Sequence, residues 1–212
     1  MAKNGILHRT ELFGGSVNGG PLMRLSFAGS LIKPRTNDDG VEKYTCALIV
    51  KRDAQGVDQL QKAVAECVRG AWPNNGEERF KKGLIKNPIL AGDGKEAHDK
   101  DGNLRDGLGP EFIFIRPSSV VKPKLFDKDA NPADPEDVQS GYWGYPVLNA
   151  FAWHHPQSGD GVSFGISMFQ VTEKDEILGG GGGGNPEDFI QRVQSGAKEE
   201  TGPAKDAGDM FG

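Results

Sequence analysis

Glycine and proline recur so densely in this chain, 31 and 13 of its 212 residues, that no long helical array fits it. Together they make up about a fifth of the chain where about an eighth is usual, and each interrupts regular helix, glycine through backbone entropy and proline through its missing N–H. Helical bundles and coiled coils are excluded, and a β-rich fold with many turns is favoured. The 36% of apolar residues, to which glycine adds, lies in the globular range and is enough for one core.

Alternation of apolar and polar residues predicts a strand from Met23 to about Ile32, with Met23, Leu25 and Phe27 on the inner face and Arg24 pointing away. Turn residues from Lys33 to Gly40 return the chain into a strand at Tyr44–Val50, completing a hairpin. Val57, Leu60, Val64 and Val68 repeat at helical spacing, so one main helix is expected, capped by Asp53 and ending near Gly70. Residues 73–110 read as a long surface excursion, followed by strands at Phe112–Ile115 and at Val120–Phe126, the latter placed at an edge or bulge by Pro123. A second hairpin runs from Tyr145 to Trp153 and back through Val162–Val171. Five or six strands with one helix suit a small Greek-key barrel of the OB-fold type. The barrel domain is expected over residues 1–178, a glycine linker with a short helix over 179–196 and a disordered acidic tail over 197–212.

No stretch is apolar enough to span a membrane, and the N-terminal residues resemble no export signal. Cys46 and Cys67 form no C-x-x-C pair and suit a reducing cytoplasm as small core residues. The sequences Asp99-Lys100-Asp101-Gly102-Asn103 and Asp127-Lys128-Asp129-Ala130-Asn131 begin like calcium loops but fail at the sixth and twelfth positions, so both are read as polar turns. His154 and His155 are adjacent and face opposite ways on a strand. No nucleophile or metal-ligand constellation stands out, so neither an enzyme nor a cofactor or metal is expected.

Charge is unevenly placed. Lys and Arg outnumber Asp and Glu by 20 to 15 over residues 1–126, a net of +5, whereas 5 face 15 over residues 127–212, a net of −10. A basic body followed by an acidic remainder suits a protein that meets a polyanion. Aromatic residues lie beside the cations, and flat rings that stack on bases together with cations that follow phosphates are what sequence-tolerant single-strand binding needs. The candidates are Arg24, Lys33, Arg35, Lys43, Tyr44, Lys51, Arg52, Lys122, Lys124, Trp143 and Tyr145. The competing role for any of these aromatics is core packing.

The run Gly144-Tyr145-Pro146-Val147-Leu148-Asn149-Ala150, then Gly161-Val162-Ser163-Phe164-Gly165-Ile166, Gln170-Val171 and Ile177-Leu178-Gly179-Gly180, resembles the closing hairpin of phage-encoded single-stranded DNA-binding proteins. Arg116 and Lys122-Pro123-Lys124-Leu125-Phe126-Asp127 are similar to the segment before that hairpin, and the resemblance covers residues 21–180. It implies an OB-fold that coats single-stranded DNA during phage replication or recombination in the cytoplasm of the infected host. It also implies an acidic tail, here with Asp206, Asp209 and Phe211, that contacts phage or host replication and recombination proteins. The tail departs from the family pattern in its dilute charge and in the glycine after Phe211. A carbohydrate-binding β-sandwich or a phage structural domain is the alternative.

Overall fold

The computed structural model describes residues 5–36 and 40–179. Its strands are β1 (Gly5–Arg9), β2 (Phe13–Gly14), β3 (Met23–Ser26), β4 (Arg35–Thr36), β5 (Glu42–Thr45), β6 (Ala47–Lys51), β7 (Ile85–Lys86), β8 (Leu90–Ala91), β9 (Phe112–Ile115), β10 (Ser118–Ser119), β11 (Lys124–Phe126), β12 (Trp143–His155) and β13 (Gly159–Glu173). The helices are α1 (Ala28–Ile32), α2 (Val57–Ala71) and α3 (Gly76–Lys81).

Many of these strands are fragments of longer ones. Leu48 pairs with Ile115 and, in the same antiparallel register, Thr45 pairs with Ser118, so β5–β6 and β9–β10 form one ladder interrupted near Cys46 and Pro117. With the fragments joined, five strands form a ring: β3 pairs with β6, β10 runs parallel to β13, β13 pairs with β12, and β12 returns to β3. This is the expected OB-type barrel. Its closure is the parallel bridge from Ser118 to Gly165. β11 then continues along the same edge of β13.

The interior is filled by Met23, Leu25, Leu48, Val50, Ile113, Ile115, Leu148, Phe164, Ile166 and Phe169, together with the apolar stripe of α2, Leu60, Val64, Cys67 and Val68. α2 packs against β12, where Ala150 and Ala152 are fully buried, and such small side chains let a helix approach a sheet. Both cysteines are buried as expected. Burial pushes the Cys46 thiol far above its ordinary range. Burial, aided by Glu66, pushes Cys67 up to about 11.

The sequence expectations are corrected in several places. The first strand ends at Ser26, Phe27 turns left-handed at φ 60, and Ala28–Ile32 is helical. Phe27 is therefore 47% exposed rather than in the core. The expected first hairpin pairs correctly, with Leu25 opposite Leu48, but α1 and the small β4–β5 hairpin fill its connection. The main helix begins after Gly56, at φ 83, and not at Asp53. A Cβ at Gly56 would lie 2.5 Å from the Gly19 carbonyl oxygen, so the position admits only glycine without rearrangement.

Residues 73–110 are not a bare surface loop. They contain α3, β7 and β8, bury Ile85, and lay a second apolar cluster over the outer face of β6–β9, where Ile49, Phe114 and Ala97 are joined by Leu90, Leu108, Phe112 and Leu178. Between Ser119 and Phe126 only Lys124–Phe126 is strand, after the break at Pro123. The second hairpin is as expected but longer. The expected linker, short helix and tail lie outside the described residues, apart from Gly179.

Gly56→Ala is expected to lower stability by about 1–3 kcal/mol in urea denaturation, from left-handed strain and the clash with the Gly19–Pro21 segment.

Candidate nucleic-acid interface

Two of the eight sequence-predicted cations lie on the β4–β5 hairpin that adjoins β10, and three more on the chain that leads into that hairpin or out of β10. Arg35 and Lys43 are direct cross-strand partners in the β4–β5 hairpin, and Tyr44, half-buried, stands opposite Ser119. Lys33 is exposed at the end of α1, and Lys122 and Lys124 are exposed on the segment leaving β10. Two like charges directly opposite destabilise a sheet pair, so this hairpin favours an anion nearby.

Lys51 lies at the far end of β6, with Arg52 just beyond it. Lys51 is exposed, whereas Arg52 donates to the Pro110 carbonyl (2.6 Å) and pairs with Asp93 (3.3 Å), fastening the excursion to the barrel.

Arg24 and Trp143 are brought together as cross-strand neighbours, with the guanidinium over the indole at 5.8 Å. Both are engaged inside the protein. Arg24 donates to the carbonyls of Gly141 (2.9 Å) and Glu176 (3.0 Å), and Trp143 Nε1 donates to Asp175 Oδ2 (2.8 Å). The indole bond, then the Glu176 backbone N–H and the charge of Arg24, hold the Asp175 carboxyl below the usual carboxylate range. These contacts hold the end of the described chain against the barrel, where Leu178 N–H donates to Ser140 O and Gly179 N–H to Asp106.

Tyr145 lies on the outer face of β12, in register with Gln170 and, one strand further, Phe126. With Val17, Val147 and Met168 it lines a recess of about 320 Å3. Further along β12, Arg9 covers Phe151 (5.6 Å) and Lys86 covers Trp153 (5.7 Å). At the tip of the hairpin, Asp160 accepts from His154 Nδ1 (2.7 Å) and Arg79 Nη2 (2.5 Å), its side chain only 10% exposed. Burial opposes ionisation of Asp160, but the bonds from His154 and Arg79 and their charges outweigh it and lower its pKa.

Three residues on the outer side of the barrel lie outside the sequence candidates for the site. Phe27 lies under the guanidinium of Arg105 at 5.9 Å, and Arg116 covers Phe114 at 5.2 Å. Burial, followed by the charge of Arg105, lowers the pKa of Arg116. Alternation had assigned Phe27 to the core, and Arg105 sat in a stretch without periodicity. The two Asp-rich turns share one construction, in which Asp99 Oδ1 accepts the backbone N–H of Asp101 and Asn103, and Asp127 Oδ1 that of Asp129 and Asn131. Their leading carboxylates serve the turn itself.

The family model described as the Enterobacter phage Enc34 ssDNA-binding protein matches residues 17–201. The chain belongs to this family. The match spans the resemblance read from the closing hairpin, and the family is one of binding proteins rather than enzymes. Several solved structures are similar to this Enc34-family chain, three of them as follows. The bacteriophage Enc34 single-stranded DNA-binding protein in complex with ssDNA is 16% identical, with a TM-score of 0.55 over 84% of this chain and 94% of that one. The same phage protein without the complex is 18% identical, with a TM-score of 0.55 over 89% and 94%. Gp2.5, a single-stranded DNA-binding protein encoded by bacteriophage T7, is 10% identical, with a TM-score of 0.51 over 90% and 99%. At these identities the likeness establishes the fold. Comparison with curated protein sequences gives no match. No helix among the described residues is long and apolar enough to cross a membrane.

The Asp160 carboxyl, depressed in the folded state, contributes stability that is fully present above the unfolded carboxylate pKa of about 3.9 and is lost as pH falls through its folded value. Asp160→Asn is expected to remove that part of the acid dependence, measured as the unfolding midpoint between neutral and acid pH.

Proposed function

We propose that this Enc34-family chain binds and coats single-stranded DNA without strong sequence preference during phage replication or recombination, in the cytoplasm of the infected cell. The observation that carries this reading is the opposed Arg35–Lys43 pair beside Tyr44, on the connection between the first two strands of an OB-type barrel. OB-folds take ligands at this connection and on the neighbouring strands. Lys33, Lys122 and Lys124 extend the basic strip, and Lys51 with Arg52 marks its far end. Trp143 and Tyr145 lie on a different strand, so a strand of DNA reaching them must pass over the barrel. Arg24 acts first by positioning Trp143. The relatives bound to or named for ssDNA support the same partner.

The acidic arm, residues 197–212, competes with DNA for this surface and offers Asp206, Asp209 and Phe211 to replication or recombination proteins. Its support is charge, since the arm holds Glu199, Glu200, Asp206 and Asp209 against Lys198 and Lys205.

Binding of labelled oligonucleotides should weaken linearly in log–log terms as salt rises from about 50 to 200 mM, with a slope near 0.7 per phosphate neutralised. Affinity that stays flat over that range sinks the polyanion reading. Arg35→Ala with Lys43→Ala should weaken binding while leaving thermal stability unchanged or slightly higher, because the opposed charges no longer repel. Truncation after Gly196 should tighten binding, most of all at low salt where screening is weakest, and extend it toward duplex. Equal affinities for both ligands would remove the arm from regulation.

A further inference from the structure

This inference rests on the single-strand reading and concerns where one nucleotide is held. Phe27 combines features that packing alone does not require. Its backbone is left-handed (φ 60, ψ 41), a conformation rare for a bulky residue. Its ring is nearly half exposed although its neighbours Leu25 and Ala28 are buried. The flanking peptides enforce this geometry: Ala28 N–H donates to Ser140 Oγ (3.0 Å), Leu25 N–H to Tyr142 O (2.8 Å), and Gly141 N–H to Leu25 O (2.7 Å). Outliers held by their surroundings in this way cluster at ligand clamps.

Arg105 stands over this ring, and Arg116, over Phe114, shares its support. Arg105 donates through Nε (3.2 Å) and Nη2 (3.0 Å) to the His98 carbonyl, and Arg116 Nη2 donates to the Glu96 carbonyl. Both acceptors belong to the 3-10 turn Lys95–Ala97 and its C-terminal cap. Both guanidiniums lie over phenylalanine rings, and neither forms an ion pair among the described residues. The acidic groups between this turn and Arg116 are Glu96, Asp99, Asp101, Asp106 and Glu111, and hydrogen bonds from Asn103 and Asp101, then the charge of Arg105, hold the Asp99 carboxyl below its ordinary range. Glu96 favours the Arg116 cation from beyond pairing distance, and Asp106 accepts the Gly179 N–H.

We propose that Phe27, Arg105 and Arg116 form a site for one nucleotide of a single strand, the base stacked on Phe27 and its phosphate shared by the two guanidiniums. Carbonyl bonds fix the direction of each guanidinium without neutralising its charge, and N–H donors remain on both forks for phosphate oxygens. An anion between them relieves their mutual repulsion. The phenyl ring offers no hydrogen bond and therefore accepts any base, in keeping with binding that is blind to sequence. Backbone strain keeps the ring presented before the strand arrives, so binding has less to order.

The test uses the full chain and a fluorescein-labelled oligothymidylate, with anisotropy for affinity and thermal unfolding for stability. Phe27→Gly should weaken binding about five- to a hundredfold through lost stacking. It should also raise the unfolding midpoint, because glycine adopts this backbone freely. Phe27→Tyr should retain wild-type affinity. Arg105→Gln with Arg116→Gln should weaken binding and lower the log–log salt slope by about 0.7, the share of one phosphate. Wild-type protein that fails to bind overturns the single-strand reading and this site with it. Wild-type binding that survives both Phe27→Gly and the double Gln variant overturns the site alone. Loss of affinity and stability together in Phe27→Gly, with Phe27→Tyr equally weak, overturns it in favour of a structural role.

Discussion

The long β12–β13 hairpin is the constraint on which the rest of the structure depends. Its two strands, of 13 and 15 residues, are longer than the other barrel strands, and both leave an outer edge to be satisfied. β13 takes β7, β10 and β11 in succession along one edge, all parallel to it. β12 takes β3, β2 and β1 along the other, all antiparallel. An uncovered edge of this length would be a template for pairing with other chains, and six short segments from separate parts of the sequence remove it. The barrel closes because one of those segments, β10, is also the continuation of β9.

Covering those edges has a second effect. The chain must cross the barrel repeatedly, and the connections become surfaces in their own right. The 73–110 excursion packs on the outer face of β6–β9 instead of floating over it, through Ala97, Leu90 and Leu108 against Ile49 and Phe114. That packing carries Arg105 beside Phe27 and provides the carbonyls that direct Arg105 and Arg116. The described chain ends on the same cluster, through Leu178.

Much of this was legible from local pattern. Period-two alternation located the second hairpin, a short apolar run located Phe112–Ile115, helical spacing located α2, and the density of glycine and proline excluded a helical fold. The exposure of Lys33 and Arg35 was also legible, because basic residues beside a turn remain exposed wherever the turn is placed. The first strand was read too long because Phe27 continues the alternation perfectly. What ends that strand is Ser140, more than a hundred residues away, accepting the Ala28 N–H.

The sequence by itself determined the class of fold, the sites of the main elements, the imbalance of charge between body and tail, and the family likeness of the closing hairpin. These follow from local periodicity, turn chemistry and composition, which each segment carries alone. Only the tertiary structure decided which cations remain available. Arg24 and Arg52 look like Lys33 and Lys51 in sequence, yet the first two spend their donors on distant backbone carbonyls while the lysines stay exposed. It likewise decided that Phe27 faces outward and that Arg105 and Arg116 meet on one turn. Such pairings depend on groups far apart in the chain, and no local pattern encodes the distance between them.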